Sequence, residues 1–446
     1  MLEDTRRWRS VRRLVSCLCV GILVGVLVCL HHDALLGVSA NPYRWALPVD
    51  AGGEAAVFEE DAKPARPMTL PRGVADLLAP ERAVLSDGRL EQVLDDGATV
   101  TYTLLPAPQQ QIRRLLESYR LPFAAVVALD PASGDVLAYV EVNSRNPTLE
   151  GLARQAIPPA ASVFKLVTAA ALLREANLDP SASICVHGGR RAIERSEMVE
   201  NATLDTLCVT LEEALARSTN VAFARWSDRL LDGDALRRTA AALGFEQPIP
   251  FDLPVEPSLA AIPDDRLERA RAAAGFWHTT MSPLHGALIA AAIANEGIAM
   301  RPRLVQEVRA EDGASHYEAP TPRGWKRMLS RSESARLGAM MTGAVEYGTA
   351  RRGFEGTPEL GGMRVAGKTG TLTGRGRESL EFTWFVGFAP QNDPKVALAV
   401  MVVNPESWLI RASHVAAKAL SILLLSDTTE QGIARLEPGE SFMAAR

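Results

Sequence analysis

The sequence predicts an α/β fold of the α+β kind: a five-stranded antiparallel sheet flanked by helices, carrying an all-helical subdomain. Two strand-like apolar runs lie on either side of residue 131, helical periodicity then fills roughly 200 residues, and three more strand-like runs and a closing helix follow residue 363. Strands so far apart share one sheet only if the intervening segment packs as its own layer. A cleft between the two layers is then the natural place for chemistry.

Taken in order, Arg6, Arg7, Arg9, Arg12 and Arg13 precede an uncharged apolar run over residues 14–30 that ends at His31, His32 and Asp33. Seventeen residues rising about 1.5 Å each give roughly 25 Å, near the lower limit for one membrane span, and the arginines would hold the N-terminus in the cytoplasm. The expected organisation is a cytoplasmic segment over 1–13, an N-terminal transmembrane helix over 14–36 and a linker or short pedestal over 37–98. A main domain over 99–430 and a tail over 431–446 complete it. A cleaved signal peptide is the rival, because Val38, Ser39 and Ala40 make a passable cleavage site.

Residues 99–106, TVTYTLLP, read as a strand and residues 109–119, QQQIRRLLESY, as an amphipathic helix. AAVVALD and VLAYVEV are strands joined by PASGD, which has hairpin chemistry. After the helical insert, MRVAGKTGTL, FTWFVGFAP and KVALAVMVVN read as three strands, with a helix around residues 407–425.

With 47% hydrophobic residues the 446-residue chain can bury at least one full core. Its net charge of -5 and the lack of a basic run beyond the first thirteen residues argue against nucleic acid as a partner. Of five cysteines, Cys17, Cys19 and Cys29 fall in the apolar run, leaving Cys185 and Cys208 as either a disulfide or two buried thiols. No spacing of metal-binding type occurs, so no metal or other cofactor is expected.

Three short motifs carry the chemistry. Only six of the 48 basic residues are lysine, yet lysine occupies both basic motif positions: SVFK, with Ser162 and Lys165, and KTG, with Lys368, Thr369 and Gly370. Arginine stays protonated whereas an ammonium can be tuned to release its proton, so a base that must titrate has to be lysine. Residues three apart share a helix face, so the Lys165 amine can reach the Ser162 hydroxyl; burial and a neighbouring cation such as Lys368 would lower its pKa. STN, with Ser218 and Asn220, falls on the turn between TLEEALARS and VAFARWSDRL. A hydroxyl there can relay a proton and an amide can hold a peptide carbonyl. In KTG the glycines allow close backbone approach along a strand edge, and Lys368 and Thr369 can hold a carboxylate. Singly, SVFK also reads as a capped helix with a surface lysine, STN as ordinary helix capping by Ser218 and Asn220, and KTG as a solvated strand with a β-bulge.

Together, in this order and spacing, SVFK, STN and KTG resemble the set of penicillin-binding proteins. The chain is most similar to the transpeptidase domain of their membrane-anchored class B group, a resemblance running from about residue 99 to 425 through AAVVALDPASGDVLAYV, SPLHGALIAAAIANEGIAMRPRLV, RVAGKTGT and WFVGFAPQNDPKVALAVMVVN. The resemblance implies a periplasmic serine D,D-transpeptidase, anchored in the bacterial inner membrane, that cross-links peptidoglycan stem peptides and is acylated by β-lactams as covalent inhibitors. It further implies a membrane glycosyltransferase as a partner. Ser162 would be the nucleophile, Lys165 its base and Ser218 the proton relay. Asn220 would orient the peptide, and Lys368, Thr369 and Gly370 would bind the terminal carboxylate. The N–H groups of Ser162 and Thr371 would form the oxyanion hole. Ala161 departs from the glycine common in the family, and AAAGFWHTTMSP departs from its Gly-rich counterpart. A D,D-carboxypeptidase or β-lactamase, with Glu256 as a conceivable base for water, and a non-catalytic β-lactam sensor or cell-wall scaffold are the rival readings.

Overall fold

The computed structural model describes residues 70–433 apart from 72, 147–149, 190–191, 375–379 and 407. The expected anchor over 14–36 and its signal-peptide rival therefore lie outside the described residues. Among the described residues no helix is long and apolar enough to cross a membrane.

The strand-like runs form one five-stranded antiparallel sheet. Its members are β1 (Phe123–Leu129), β2 (Val136–Val142), β3 (Ala366–Thr373), β4 (Glu381–Ala389) and β5 (Val396–Asn404), in the spatial order β3-β4-β5-β1-β2. The central strands are apolar at nearly every position because both faces are covered. On β5, Ala397, Ala399, Met401 and Val403 enter one core while Leu398, Val400 and Val402 enter the other, as the two-residue period of a strand requires. Helix α1 (Pro106–Ser118) and the C-terminal helix of the described chain lie on one face, the uniformly buried helix Pro283–Ala294 on the other. β3 is left as an edge strand, in unbroken register with β4 from Ala366↔Phe388 to Thr373↔Glu381.

The insert between β2 and β3 holds the helices α2 (Lys165–Glu175), α3 (Leu211–Arg217), α4 (Asn220–Leu230), α5 (Arg266–Ala273), α6 (the Pro283–Ala294 helix), α7 (Arg331–Glu346), which packs against β3, and the short α8 (Arg351–Phe354); α9 (Ala412–Ile433) follows β5. The expectation of an all-helical subdomain is corrected here. The insert also holds strands, among them Val305–Arg309 and Ser315–Glu318, which join Val84–Ser86, Arg89–Val93 and Thr99–Tyr102 in a second five-stranded sheet. Thr99–Tyr102 falls within the strand expected over 99–106, whereas the other four, of three to five residues, are too short to show a two-residue period. Val305 pairs with Tyr102, about 200 residues away in sequence, a partnership that no local pattern records.

Cys185 and Cys208 form a disulfide across the strand pair Ser183–Val186 and Leu207–Thr210, where they stand directly opposite each other.

Candidate active site

The turn that carries Ser162 is held from both sides. Before it, Trp384 Nε1 on β4 donates to Pro159 O at 2.9 Å and the Ala160 N–H donates to Thr279 O at 3.0 Å. Ala161 then takes a left-handed φ of 49°, and Ala161–Phe164 form a turn of 3-10 helix that leads into α2. The packing leaves little room: a Cβ on Gly275, at φ +86°, would come within 2.3 Å of Ala161 O, and one on Gly370 within 3.2 Å of Ala161 Cβ. Positive φ costs an L-residue roughly 1–2 kcal/mol, which glycine would avoid at a penalty of about 0.5–1 kcal/mol in chain entropy. Ala161→Gly should therefore raise stability to unfolding in denaturant by about 0.5 kcal/mol; a loss of more than about 1 kcal/mol would show that the methyl group against Gly370 matters more than the strain.

Lys165 is fully buried, and its amine has three oxygen neighbours: Ser162 Oγ at 2.9 Å, Asn220 Oδ1 at 2.8 Å and Ala274 O at 2.6 Å. The Asn220 amide is orientated by its own Nδ2, which donates to Gly189 O at 2.9 Å, so Oδ1 must face the lysine. Both Asn220 Oδ1 and Ala274 O are acceptors only. A neutral amine has two hydrogens and one lone pair; the hydrogens go to these two oxygens and the lone pair is left for the Ser162 hydroxyl. Burial, assisted by the nearby charge of Lys368, pushes the Lys165 amine well below its ordinary pKa. The Phe223 ring, centred 5.8 Å from Nζ, forms part of the apolar wall.

Lys368 is also fully buried, and burial pushes it down to about 7. Its amine donates to Ser218 Oγ at 3.0 Å and to Thr369 O at 2.8 Å. Ser218 ends α3 in a left-handed conformation, φ 57° and ψ 43°, which turns its hydroxyl toward β3 while Asn220 opens α4. Strain of this kind gathers where the surroundings hold a side chain for use.

Ser162, Ser218, Asn220, Thr369, Gly370 and Thr371 line one groove of about 720 Å³ along the edge of β3. The two lysines lie behind it and touch its serines, so all eight sequence-predicted residues meet at one place. Several supports were not legible in the sequence. Thr349 Oγ1 lies 2.5 Å from Thr369 Oγ1, and the Ala274 carbonyl orientates Lys165 through its main chain, which no side-chain pattern could announce. Arg225 is the third. Wholly buried on α4, it spends all five N–H donors on Asp205 and on the carbonyls of Cys185, Glu197 and Val199. Its only sequence trace is one arginine within the apolar run VAFARW of α4.

Residues 124–423 match the family model described as the penicillin binding protein transpeptidase domain. The chain is 32% identical over 316 residues to the peptidoglycan D,D-transpeptidase PbpA of Mycolicibacterium smegmatis, covering 62% of this chain and 61% of that protein. It is 31% identical to PbpA of Mycobacterium tuberculosis, covering 69% and 68%. The chain therefore spans about three fifths to two thirds of the length of these relatives. Among solved structures, it superposes on the penicillin G acyl-enzyme complex of penicillin-binding protein A from M. tuberculosis with a TM-score of 0.62 at 27% identity, covering 74% of this chain and 81% of that one.

Proposed function

The chain belongs to the penicillin-binding protein transpeptidase family, and we propose that it is a peptidoglycan D,D-transpeptidase working through a serine acyl-enzyme. The observation that carries the reading is the Lys165 amine, whose hydrogens are taken by Asn220 Oδ1 and Ala274 O so that its lone pair meets the Ser162 hydroxyl at 2.9 Å.

Ser162 Oγ attacks the carbonyl between the two terminal D-alanines of a stem peptide as Lys165 removes its proton. The oxyanion is received by the N–H groups of Ser162 and Thr371 at the groove edge. Asn220 keeps one Nδ2 hydrogen after serving Gly189, and this orientates the peptide carbonyl. The Lys368 ammonium is committed to Ser218 and Thr369 O, so it acts as a charge behind the hydroxyls of Thr369 and Thr371, which meet the terminal carboxylate. Ser218, in contact with Lys368, passes the proton to the departing amine. An amine from a second stem peptide then resolves the ester.

Fast hydrolysis is disfavoured by the placement of Glu256, whose carboxylate accepts the Ala156 N–H at 2.9 Å and does not line the groove. Among the described residues the one carboxylate that does line it, Glu355, pairs with Arg351 at 2.8 Å. Among the described residues no free carboxylate is thereby supplied as a base for a water attacking the ester. In keeping with the charged and apolar pattern of residues 1–36, the catalytic domain is proposed to act in the periplasm from an inner-membrane anchor, beside a membrane glycosyltransferase.

Incubation with penicillin G followed by mass spectrometry tests the reading. The expected product is one stable penicilloyl adduct on the peptide containing Ser162. An adduct elsewhere, no adduct, or an ester lost within seconds would refute it.

A further inference from the structure

Helix α5 ends against the Lys165 amine. The four carbonyls that close it, those of Arg271, Ala272, Ala273 and Ala274, have no partner within a regular helix and must find one beyond it. Two are answered by the next turn of the chain: the Gly275 N–H donates to Ala272 O and the Phe276 N–H to Arg271 O, each at 2.9 Å. This is the pairing of a Schellman cap, whose left-handed position is filled by Gly275 at φ +86°. The other two carbonyls are spent on α2. Ala274 O meets the Lys165 amine at 2.6 Å, and Ala273 O accepts the Thr168 hydroxyl at 2.7 Å. Thr168 is the one polar residue between Lys165 and Arg174, and it is wholly buried. A threonine inside a helix ordinarily turns its hydroxyl back to a carbonyl three or four positions earlier. This one reaches another helix, 105 positions away in sequence.

We infer that Thr168 is a positioning residue for the general base: it pins the end of α5 to α2, so that Ala274 O takes one hydrogen of the Lys165 amine and leaves the lone pair toward the Ser162 hydroxyl. The inference rests on the transpeptidase reading above and concerns how the base is held. Lys165 and Thr168 are three positions apart on one face of α2, so they grip adjacent carbonyls of the same helix end. The grip of the lysine changes as its amine gains and releases the proton of Ser162, whereas the hydroxyl donates throughout. Thr168 therefore keeps Ala274 O in one place while the amine titrates. The negative end of the α5 dipole lies at these carbonyls and favours the charged amine, which gives the proton taken from Ser162 a place to rest before it is passed on. On its other side the helix end has no slack: a Cβ on Gly275 would lie 2.3 Å from Ala161 O and 2.8 Å from Ser162 Cα. A displacement of α5 is thus felt by the serine and the lysine together, and a misplacement of about 1 Å between reacting groups costs on the order of 10²-fold in rate.

The test compares, in the full chain, Thr168→Val, which keeps the branched shape without the hydroxyl, and Thr168→Ser, which keeps the hydroxyl. The second-order rate constant for acylation by penicillin G is followed as a function of pH. In Thr168→Val its maximum should fall by about 10- to 100-fold, and the acid limb should move to lower pH. A Lys165 amine that has lost Ala274 O has one oxygen fewer to hold its charge, while Lys368, the charged group whose field reaches it, is untouched. A protein that is merely less stable loses active fraction and leaves the limb where it was. Thr168→Ser should retain most of the unmodified rate. A Thr168→Val protein that acylates at the unmodified rate, a fall in rate without a downward move of the acid limb, or a Thr168→Ser protein no faster than Thr168→Val overturns the positioning role and leaves the transpeptidase reading intact. Failure of penicillin G to acylate Ser162 in the unmodified protein overturns both. Thr168→Ser and Thr168→Ala differ by the hydroxyl alone and repeat the comparison, so a Thr168→Val protein that does not fold does not decide the outcome.

Discussion

Lys165→Met slows acylation by penicillin by about 10³-fold, the range in which a positioned general base contributes. Methionine has nearly the length of lysine and suits the apolar wall that includes Phe223, so the packing around α2 is largely kept. What is lost is the lone pair beside the Ser162 hydroxyl, 2.9 Å away. Lys165→Arg separates the base from the hydrogen bonds. A guanidinium still donates to Asn220 Oδ1 and Ala274 O, yet it does not give up a proton, so the expected loss is as large. Acylation by Lys165→Arg within tenfold of the unmodified rate would remove Lys165 from its role. Thermal unfolding of both variants checks that the fold persists.

The same two amines set the pH dependence. Lys165 acts when neutral, so the acylation rate rises with pH as it passes through the depressed pKa of this amine. Lys368 acts when charged, and its charge is lost as pH rises past about 7. The second-order rate constant should therefore trace a bell whose alkaline limb begins near that value, far below the ordinary range for lysine. A rate that goes on rising to pH 10 would show that acylation does not need the Lys368 charge.

How much of this was legible follows from the range over which each feature is encoded. β1, β4 and β5 are buried on both faces and so appear as continuous apolar runs, which can be read from a few adjacent residues. Ser162 and Lys165 were legible because three positions on a helical turn suffice to bring their side chains together. The meeting of Lys368 with Ser218 spans 150 positions, and only the resemblance of the three motifs to a known set suggested it. Of the second sheet only the strand within 99–106 was legible; the rest escaped because its strands are short and its central pairing joins Thr99–Tyr102 to Val305–Arg309. Arg225 and the Ala274 carbonyl escaped for a different reason. Arg225 donates mostly to main-chain oxygens and Ala274 acts through its own, and every residue has such an oxygen that no sequence pattern distinguishes.

Arg225→Met should unfasten the segment that holds Asn220 in place, at about 3–5 kcal/mol, the cost of removing one partner from a buried ionic network. The guanidinium is wholly buried, and with its five donors it gathers residues 185–205 onto α4. Its hydrogen bonds also hold the Asp205 carboxyl well below the ordinary carboxylate range, and His187 Nδ1 lies 2.5 Å from the same carboxylate. Methionine fills the space but takes two donors from the carboxylate and one from each of three carbonyls. The consequence reaches the site through two contacts: Glu197 Oε1 accepts the Gly189 N–H at 2.8 Å, and Gly189 O fixes the Asn220 amide. Once Gly189 is released, the Asn220 amide is free to rotate, and Lys165 then loses one of the two acceptors that direct its lone pair. Acylation should thus fall together with stability, although Arg225 touches neither Ser162 nor Lys165. Hydrogen exchange separates the two possible origins of that fall. Faster exchange confined to residues 185–205 and the start of α4, with β1, β4 and β5 still protected, is the expected pattern. Uniform loss of protection across the sheet would mean that Arg225 supports the fold as a whole and has no particular hold on Asn220.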